Sequence, residues 1–322
     1  MSGITPISKD AAKFEPAAAP AALQKCVAEV GKVLLGKQDQ IRMALCCLLA
    51  RGHLLIEDLP GMGKTTLAHA LGDALGLEYR RIQFTSDMLP ADVLGTSIFK
   101  RDSGEFQFVE GPIFTQLLLA DEINRTTPKT QSALLEAMEE KQVSIDGVTR
   151  PLPEPFFVIA TQNPGSQSGT YALPESQLDR FLMRIELGYP GHDAEREMLR
   201  AGLGEQHRKP VSQQMGLEQL FALQKQVDIQ KVSDTLLDYL QRLVDYSRSN
   251  PDFAYGLSPR GALALLQSAK AAALLENRAH VIPEDVQAVL PWVAAHRLAP
   301  AGGTMSGALG LVAQMLDSVD VL

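Results

Sequence analysis

The sequence predicts an α/β fold: a parallel-sheet core with two inserted β-hairpins, followed by a small all-α domain. Three observations carry this. A short apolar run, HLLIE at 53–57, leads through the Gly-rich turn Asp58–Thr66 into the helical stretch TTLAHALGDALG. Further apolar runs alternate with helix-period segments up to about Tyr189, the signature of a parallel sheet covered on both faces. Beyond Tyr189 only helical periodicity remains.

Each element follows from local pattern. The Ala/Pro-rich start reads as a loose tail over 1–22. From Leu23, apolar Val27, Val30, Val33 and Leu34 recur at helical spacing, and Gly36 is placed to end that helix. Ile41, Leu45, Leu48 and Leu49 mark a second helix. Strands are expected at HLLIE, YRRIQF, QLLLA and FFVIAT, with a helix from Pro128 to Lys141. Asp102-Ser103-Gly104 and Asp146-Gly147 split alternating residues at 97–109 and 142–152, which predicts two hairpins. The core domain then spans 23–189 and a helical domain 190–322, with helices at LEQLFALQKQV, SDTLLDYLQRLVDYSRS, PRGALALLQSAKAAALLE and PEDVQAVLPWVAAHRL. Ser233 and Pro283 are apt helix starts. Trp292 is expected to pack among these helices. The last stretch, GTMSGALGLVAQMLDSVDVL, reads either as a final helix or as a docking peptide.

Composition narrows the function classes. The chain has 322 residues, 45% hydrophobic and 21% charged, which excludes wholesale disorder. Its 30 basic and 38 acidic side chains give net −8, a poor balance for general nucleic-acid binding. No apolar run approaches the length of a membrane span and no signal peptide is recognisable, so a cytoplasmic protein is expected. Cys26, Cys46 and Cys47 read as buried thiols on helices, and the histidines show no zinc spacing.

The chemistry concentrates in five places. In DLPGMGKTT, a Gly-rich turn between strand and helix aims backbone N–H groups at phosphate oxygens. Lys64 can reach the β- and γ-phosphates, and the Thr65 hydroxyl can hold Mg²⁺. The strict pattern wants Gly where this chain has Asp58, and Asp is expected to serve because it tolerates left-handed backbone angles. In LLLADE, a buried strand ends in Asp121, suited to organising Mg²⁺, and Glu122, suited to polarising an attacking water. Asn163, after FFVIATQ, could bond both γ-phosphate and water, or simply turn the chain before Pro164. Arg180 in LDRF and Arg260 in LSPRGAL are either solvated surface charges or guanidiniums aimed at a γ-phosphate.

In this order PGMGKTT, LLLADE, ATQN, LDRF and SPR resemble an AAA+ ATPase. The stretches ADEINRTTPKTQSALLEAMEEKQV and ATQNPGSQSGTYALPESQLDRF are similar to the MoxR family specifically, and the resemblance covers roughly 25–300. It implies ATP and Mg²⁺ as cofactors. Pro60, Gly61, Met62, Gly63, Lys64, Thr65 and Thr66 would form the Walker A loop, and Gly36 the turn of a segment lying against adenine. Asp121 and Glu122 would be Walker B, with Thr65 and Asp121 serving the metal. Asn163 would be sensor 1, Arg260 sensor 2 holding the same subunit's ATP, and Arg180 an arginine finger reaching the next subunit. The hairpins match the family's helix-2 and pre-sensor-1 insertions, and loss of the γ-phosphate is expected to rotate the helical domain. The family forms homo-oligomeric rings, commonly hexamers, that act as chaperone-like maturation factors, some for metal or cofactor insertion, on partners with a von Willebrand A-type domain. Two other readings share the motifs: a nucleic-acid-dependent motor, disfavoured by the acidic charge and by a hairpin carrying only Lys100 and Arg101 as cations, and a metal-chelatase motor subunit. A non-catalytic nucleotide switch would require lost catalytic positions, and all look intact.

Overall fold

The computed structural model describes residues 19–164, 169–202, 210–301 and 307–321. The chain opens with α1 (Ala19–Gly31) and α2 (Gln38–Leu49), then β1 (Leu54–Glu57), α3 (Lys64–Leu75) and β2 (Tyr79–Gln83). The short α4 (Pro90–Leu94) leads into the hairpin β3 (Gly95–Lys100) and β4 (Glu105–Glu110). Then come β5 (Leu117–Asp121), a 3₁₀ turn at Ile123–Arg125, and α5 (Pro128–Glu140). A second hairpin, β6 (Gln142–Ile145) and β7 (Val148–Pro151), precedes β8 (Phe157–Gln162), α6 (Glu175–Leu178), β9 (Met183–Ile185) and α7 (His192–Ala201).

Five strands form one sheet in the order β2-β5-β8-β1-β9, every pair parallel. Side chains alternate between its faces, as strand geometry requires. Leu54, Ile56, Leu117, Leu119 and Ile159 join the core under α1, α2 and α3. Leu55, Leu118, Ala120, Val158 and Ala160 join a second cluster with α5 and the hairpin bases. The expectation of wholly apolar strands fails at β2, where Ile82 alone is buried, because this strand is an edge. The opposite edge, β9, is only three residues long and too short to show a period.

The second domain comprises α8 (Leu217–Asp228), α9 (Asp234–Ser249), α10 (Pro259–Leu275), α11 (Pro283–Ala294) and α12 (Ala308–Ser318). Ser233 accepts the Leu236 N–H and caps α9, and the C-terminal stretch is a helix. Trp292 packs against the apolar core. Among the described residues the all-α character is interrupted by a short antiparallel pairing, β10 (Phe253–Tyr255) with β11 (Ala299–Pro300), and by a parallel bridge between Lys231 and His280.

This lid is not loosely hung. Leu45, Leu48 and Leu49 of α2 belong to the same buried cluster as Leu220 and Leu223 of α8 and Leu265 of α10. Gln224 donates to the Leu48 carbonyl at 2.9 Å, and Cys46 Sγ lies 3.3 Å from the Ser268 carbonyl. A rotation of the whole helical domain would have to carry α2 with it or expose part of that shared interior. The three cysteines are buried and unpaired. Burial pushes the Cys26 thiol up to about 12, and those of Cys46 and Cys47 also upward.

Two local expectations are corrected. The first helix ends at Gly31 rather than at Gly36. Gly36 instead sits in the turn before α2 at φ +70°, where an added Cβ would come within 3.0 Å of Ala194 Cβ. Asp58 is absent from the residues with positive φ, so its presence is not explained by left-handed tolerance. Its side chain has its own work, described below.

Candidate nucleotide-binding and hydrolysis site

Parallel register brings the ends of the three central strands to one edge of the sheet. Glu57 is level with Gln162, and Asp121 with Gln83. The residues just beyond each strand therefore meet where open α/β sheets bind ligands. A cleft of about 390 Å³ opens there, floored by the 60–66 loop and walled by Asp121, Glu122 and Asn163.

The loop turns through Gly61 at φ +85° and Gly63 at φ +93°, conformations a side chain would strain. Gly63 caps α3, whose first-turn N–H groups face the cleft with the positive end of the helix. Lys64 is buried. Its ammonium donates to the Asp58 carbonyl at 2.6 Å and to Asn163 Oδ1 at 3.1 Å. Burial lowers its pKa, against the nearby charges of Asp58, Asp121 and Glu122. Thr65 and Thr66 line the same cleft, whereas Gly36 lies just outside it, its neighbours Leu35 and Lys37 forming the wall.

The carboxylates are held by a chain of hydrogen bonds. Thr161 Oγ1 donates to Asp121 Oδ1 at 2.6 Å and accepts the Glu122 N–H at 2.8 Å. That contact supports Glu122 in a left-handed backbone conformation, φ 57°, at the end of the strand. Asn163 Nδ2 donates to Glu122 Oε1 at 3.1 Å, while Gln83 Nε2 (2.8 Å) and Arg125 (3.0 Å) hold Oε2. Lys64, Asn163 and Glu122 thus form one connected line. Asp121 Oδ2 accepts from Arg81 Nη2 at 2.7 Å, so a cation already sits beside this oxygen.

The two candidate arginines lie elsewhere. Arg180 pairs with Glu139 Oε2 at 3.1 Å, and Arg260 pairs with the other oxygen of the same carboxylate. Neither lines the cleft of its own chain. Arg260, expected to grip this subunit's nucleotide, instead meets Glu139 of α5 outside the cleft lining. Beneath Arg180, Asp179 accepts from the buried Arg297 Nε at 2.6 Å, and Arg297 also donates to the Phe181 and Leu182 carbonyls.

Several of these partners gave no signal in the sequence. Arg297 and Glu139 act across 118 and 121 residues of chain. Gln83 and Arg81 could have been noticed as polar residues in an otherwise strand-like run. Among the described residues there is no group of three or more His, Cys, Asp or Glu side chains arranged to hold a metal. None of their helices is long and apolar enough to cross a membrane.

A glycine loop at the head of a helix, a paired carboxylate strand and a separate helical lid define a P-loop ATPase of the AAA+ class. Comparison with known proteins agrees. The family of ATPases associated with various cellular activities matches residues 53–183, and an AAA lid domain matches 245–307. Chaperone MoxR1 of Mycobacterium tuberculosis is 40% identical over 286 residues, covering 86% of this chain and 75% of that one. YeaC of Bacillus subtilis is 45% identical over 276 residues, 86% of each chain. A crystal structure of a candidate ATPase from Cytophaga hutchinsonii superposes with a TM-score of 0.86 at 35% identity, covering 95% of this chain and 96% of the other. The chain belongs to the MoxR family of AAA+ ATPases.

Proposed function

We propose that the protein hydrolyses ATP to ADP and phosphate within a homo-oligomeric ring, a hexamer, and uses the cycle as a cytoplasmic, chaperone-like factor that matures partner protein complexes. The observation that carries this reading is the line Lys64–Asn163–Glu122 at the mouth of the 60–66 loop. It places a cation for phosphate, an amide and a water-polarising carboxylate within hydrogen-bond reach of one another.

In this reading Lys64 exchanges the Asp58 carbonyl for phosphate oxygens. Asn163, released from Lys64, bonds the γ-phosphate and the attacking water, and Glu122 accepts that water's proton. The metal donor set is all oxygen, the Thr65 hydroxyl and the Asp121 carboxylate, which suits a hard cation carried in with phosphates. Arg81 beside Asp121 Oδ2 is a resident positive charge at the same oxygen. Mg²⁺ would take that carboxylate in place of the guanidinium, or beside it through water, and would neutralise charge developing on the phosphates.

Arg180 and Arg260 stand outside their own cleft on a shared carboxylate. That arrangement supports a role for both in completing the site of an adjacent subunit. A partner with a von Willebrand A-type domain, and metal or cofactor insertion into a client, belong to the same proposal by family likeness.

Glu122→Gln tests the chemistry. Turnover is expected to fall by about 10²–10⁴-fold while nucleotide binding persists. Undiminished turnover would overturn the assignment. The same variant, loaded with ATP and used for affinity capture, should retain a von Willebrand A-type protein.

A further inference from the structure

Asp58 stands where the strict phosphate-loop pattern has glycine, and its carboxylate is buried and doubly used. Oδ1 accepts the Leu59 N–H at 2.8 Å, within the loop itself. Oδ2 accepts the Gly188 N–H at 2.6 Å, across 130 residues of chain. Gly188 belongs to the short segment that leaves β9 and enters α7. The next residue is held from the other side: the buried Lys37 ammonium donates to the Tyr189 carbonyl at 2.7 Å. A carboxylate and an ammonium thus clasp successive residues of one linker, one from the phosphate loop and one from the turn before α2.

We propose that Asp58 is a positioning residue that couples the state of the phosphate loop to α7, the helix whose Met198 lines the cleft. The inference rests on the nucleotide-binding reading above and deepens it.

Three features support coupling rather than mere tethering. The Asp58 carbonyl is the acceptor for Lys64, so the residue that loses its ammonium when a phosphate arrives is also the residue holding Gly188. The helix on the receiving end is lightly attached: from His192 to Arg200 every side chain except Ala194 is exposed. Helices with so few buried contacts shift at low cost. Finally, α7 meets the nucleotide cleft directly once and its surroundings once. Met198 lines it, and Ala194 packs on Gly36, whose turn carries the wall residues Leu35 and Lys37. Movement of the linker therefore changes the cleft's width, while the lid core under α2 stays in place. A glycine at 58 would satisfy the loop pattern and leave the Gly188 N–H without its acceptor.

Hydrogen exchange at peptide resolution tests this on the full-length protein with Mg²⁺ and ADP or ATPγS. In the wild type, nucleotide should slow exchange both in 58–66 and in 192–201. In Asp58→Gly, protection of 58–66 should persist and the response of 192–201 should disappear. Asp58→Asn, which keeps one acceptor oxygen, should retain part of that response. A helix α7 that responds fully in Asp58→Gly would overturn the coupling while leaving nucleotide binding intact. Absence of protection at 58–66 in the wild type would overturn the nucleotide-binding reading, and this inference with it.

Discussion

The phosphate-loop cleft and the Glu139 cluster both hold charges suited to phosphate, yet they are built in opposite ways. In the cleft, Lys64, Asp121 and Asn163 are buried and each is fixed by at least two hydrogen bonds. In the cluster, two guanidiniums lean on one partly exposed carboxylate, with side-chain exposures of 28% for Arg180 and 47% for Arg260. Two cations on one anion leave a net positive charge facing outward. The cleft's groups are thus fixed by buried hydrogen bonds, whereas the two candidate arginines rest on one partly exposed carboxylate outside it.

The largest effect is expected from Arg180→Ala. If the guanidinium serves a neighbour's γ-phosphate, turnover should drop by about 10³–10⁵-fold. Mixing Arg180→Ala with Lys64→Ala subunits should restore part of the activity. Mixed rings as inactive as either parent would place Arg180 on its own chain's chemistry and erase the distinction.

The platform under the cluster can be removed next. Arg297 is only 4% exposed in its side chain and pairs with Asp179. Asp179→Ala strands that buried cation and should cost about 3–5 kcal/mol, read from the denaturation midpoint. A smaller loss would mean that the Phe181 and Leu182 carbonyls suffice for Arg297.

Acid tests whether both regions rest on one folding unit. His53, just before β1, is buried, with Nδ1 accepting the Val158 N–H at 3.1 Å, and burial lowers its pKa from 6.5 to about 4. The unfolded chain then binds the extra proton first as pH falls. The stability that comes from keeping His53 neutral is complete above pH ~6.5 and declines as pH falls towards ~4, by roughly 3 kcal/mol in all. His296, also buried and pushed downward, adds in the same direction. Probes in the cleft and on the lid should report the same midpoint at every pH, and separate transitions would divide the unit.

The smallest expected effect is that of Glu139→Gln. Freeing both arginines from their carboxylate should lower turnover roughly fivefold, the worth of one charge-assisted contact of about 1 kcal/mol, with nucleotide affinity unchanged. An effect on affinity would put the cluster at the cleft after all.

What the sequence made legible was whatever is local. The loop at 58–66, the carboxylate strand and both hairpins declare themselves within a dozen residues, because their chemistry depends on neighbours in the chain. Helices α8 to α11 were equally plain from period alone. What stayed hidden is long-range. Nothing near Glu139 announces that it will meet Arg180 and Arg260, and Arg297 reads as an ordinary basic residue after a helix. β9 and α7 escaped for another reason: one is too short to show a period, and the other buries almost nothing. Asp58 was visible as a departure, but the backbone explanation for it was wrong, since the partner that explains it lies 130 residues away.

The dry interior shared by α2, α8 and α10 has a consequence for how relatives of this chain can be recombined. A chimera that takes its lid from one homologue and its ATPase core from another must match α2 to both, because Leu45, Leu48 and Leu49 share one cluster with Leu54 and Ile56 of the sheet and with Leu220, Leu223 and Leu265 of the lid. Otherwise Leu45, Leu48 and Leu49 would meet a surface shaped for different side chains. No cut between the sheet and the helical domain leaves α2 with all of its native neighbours.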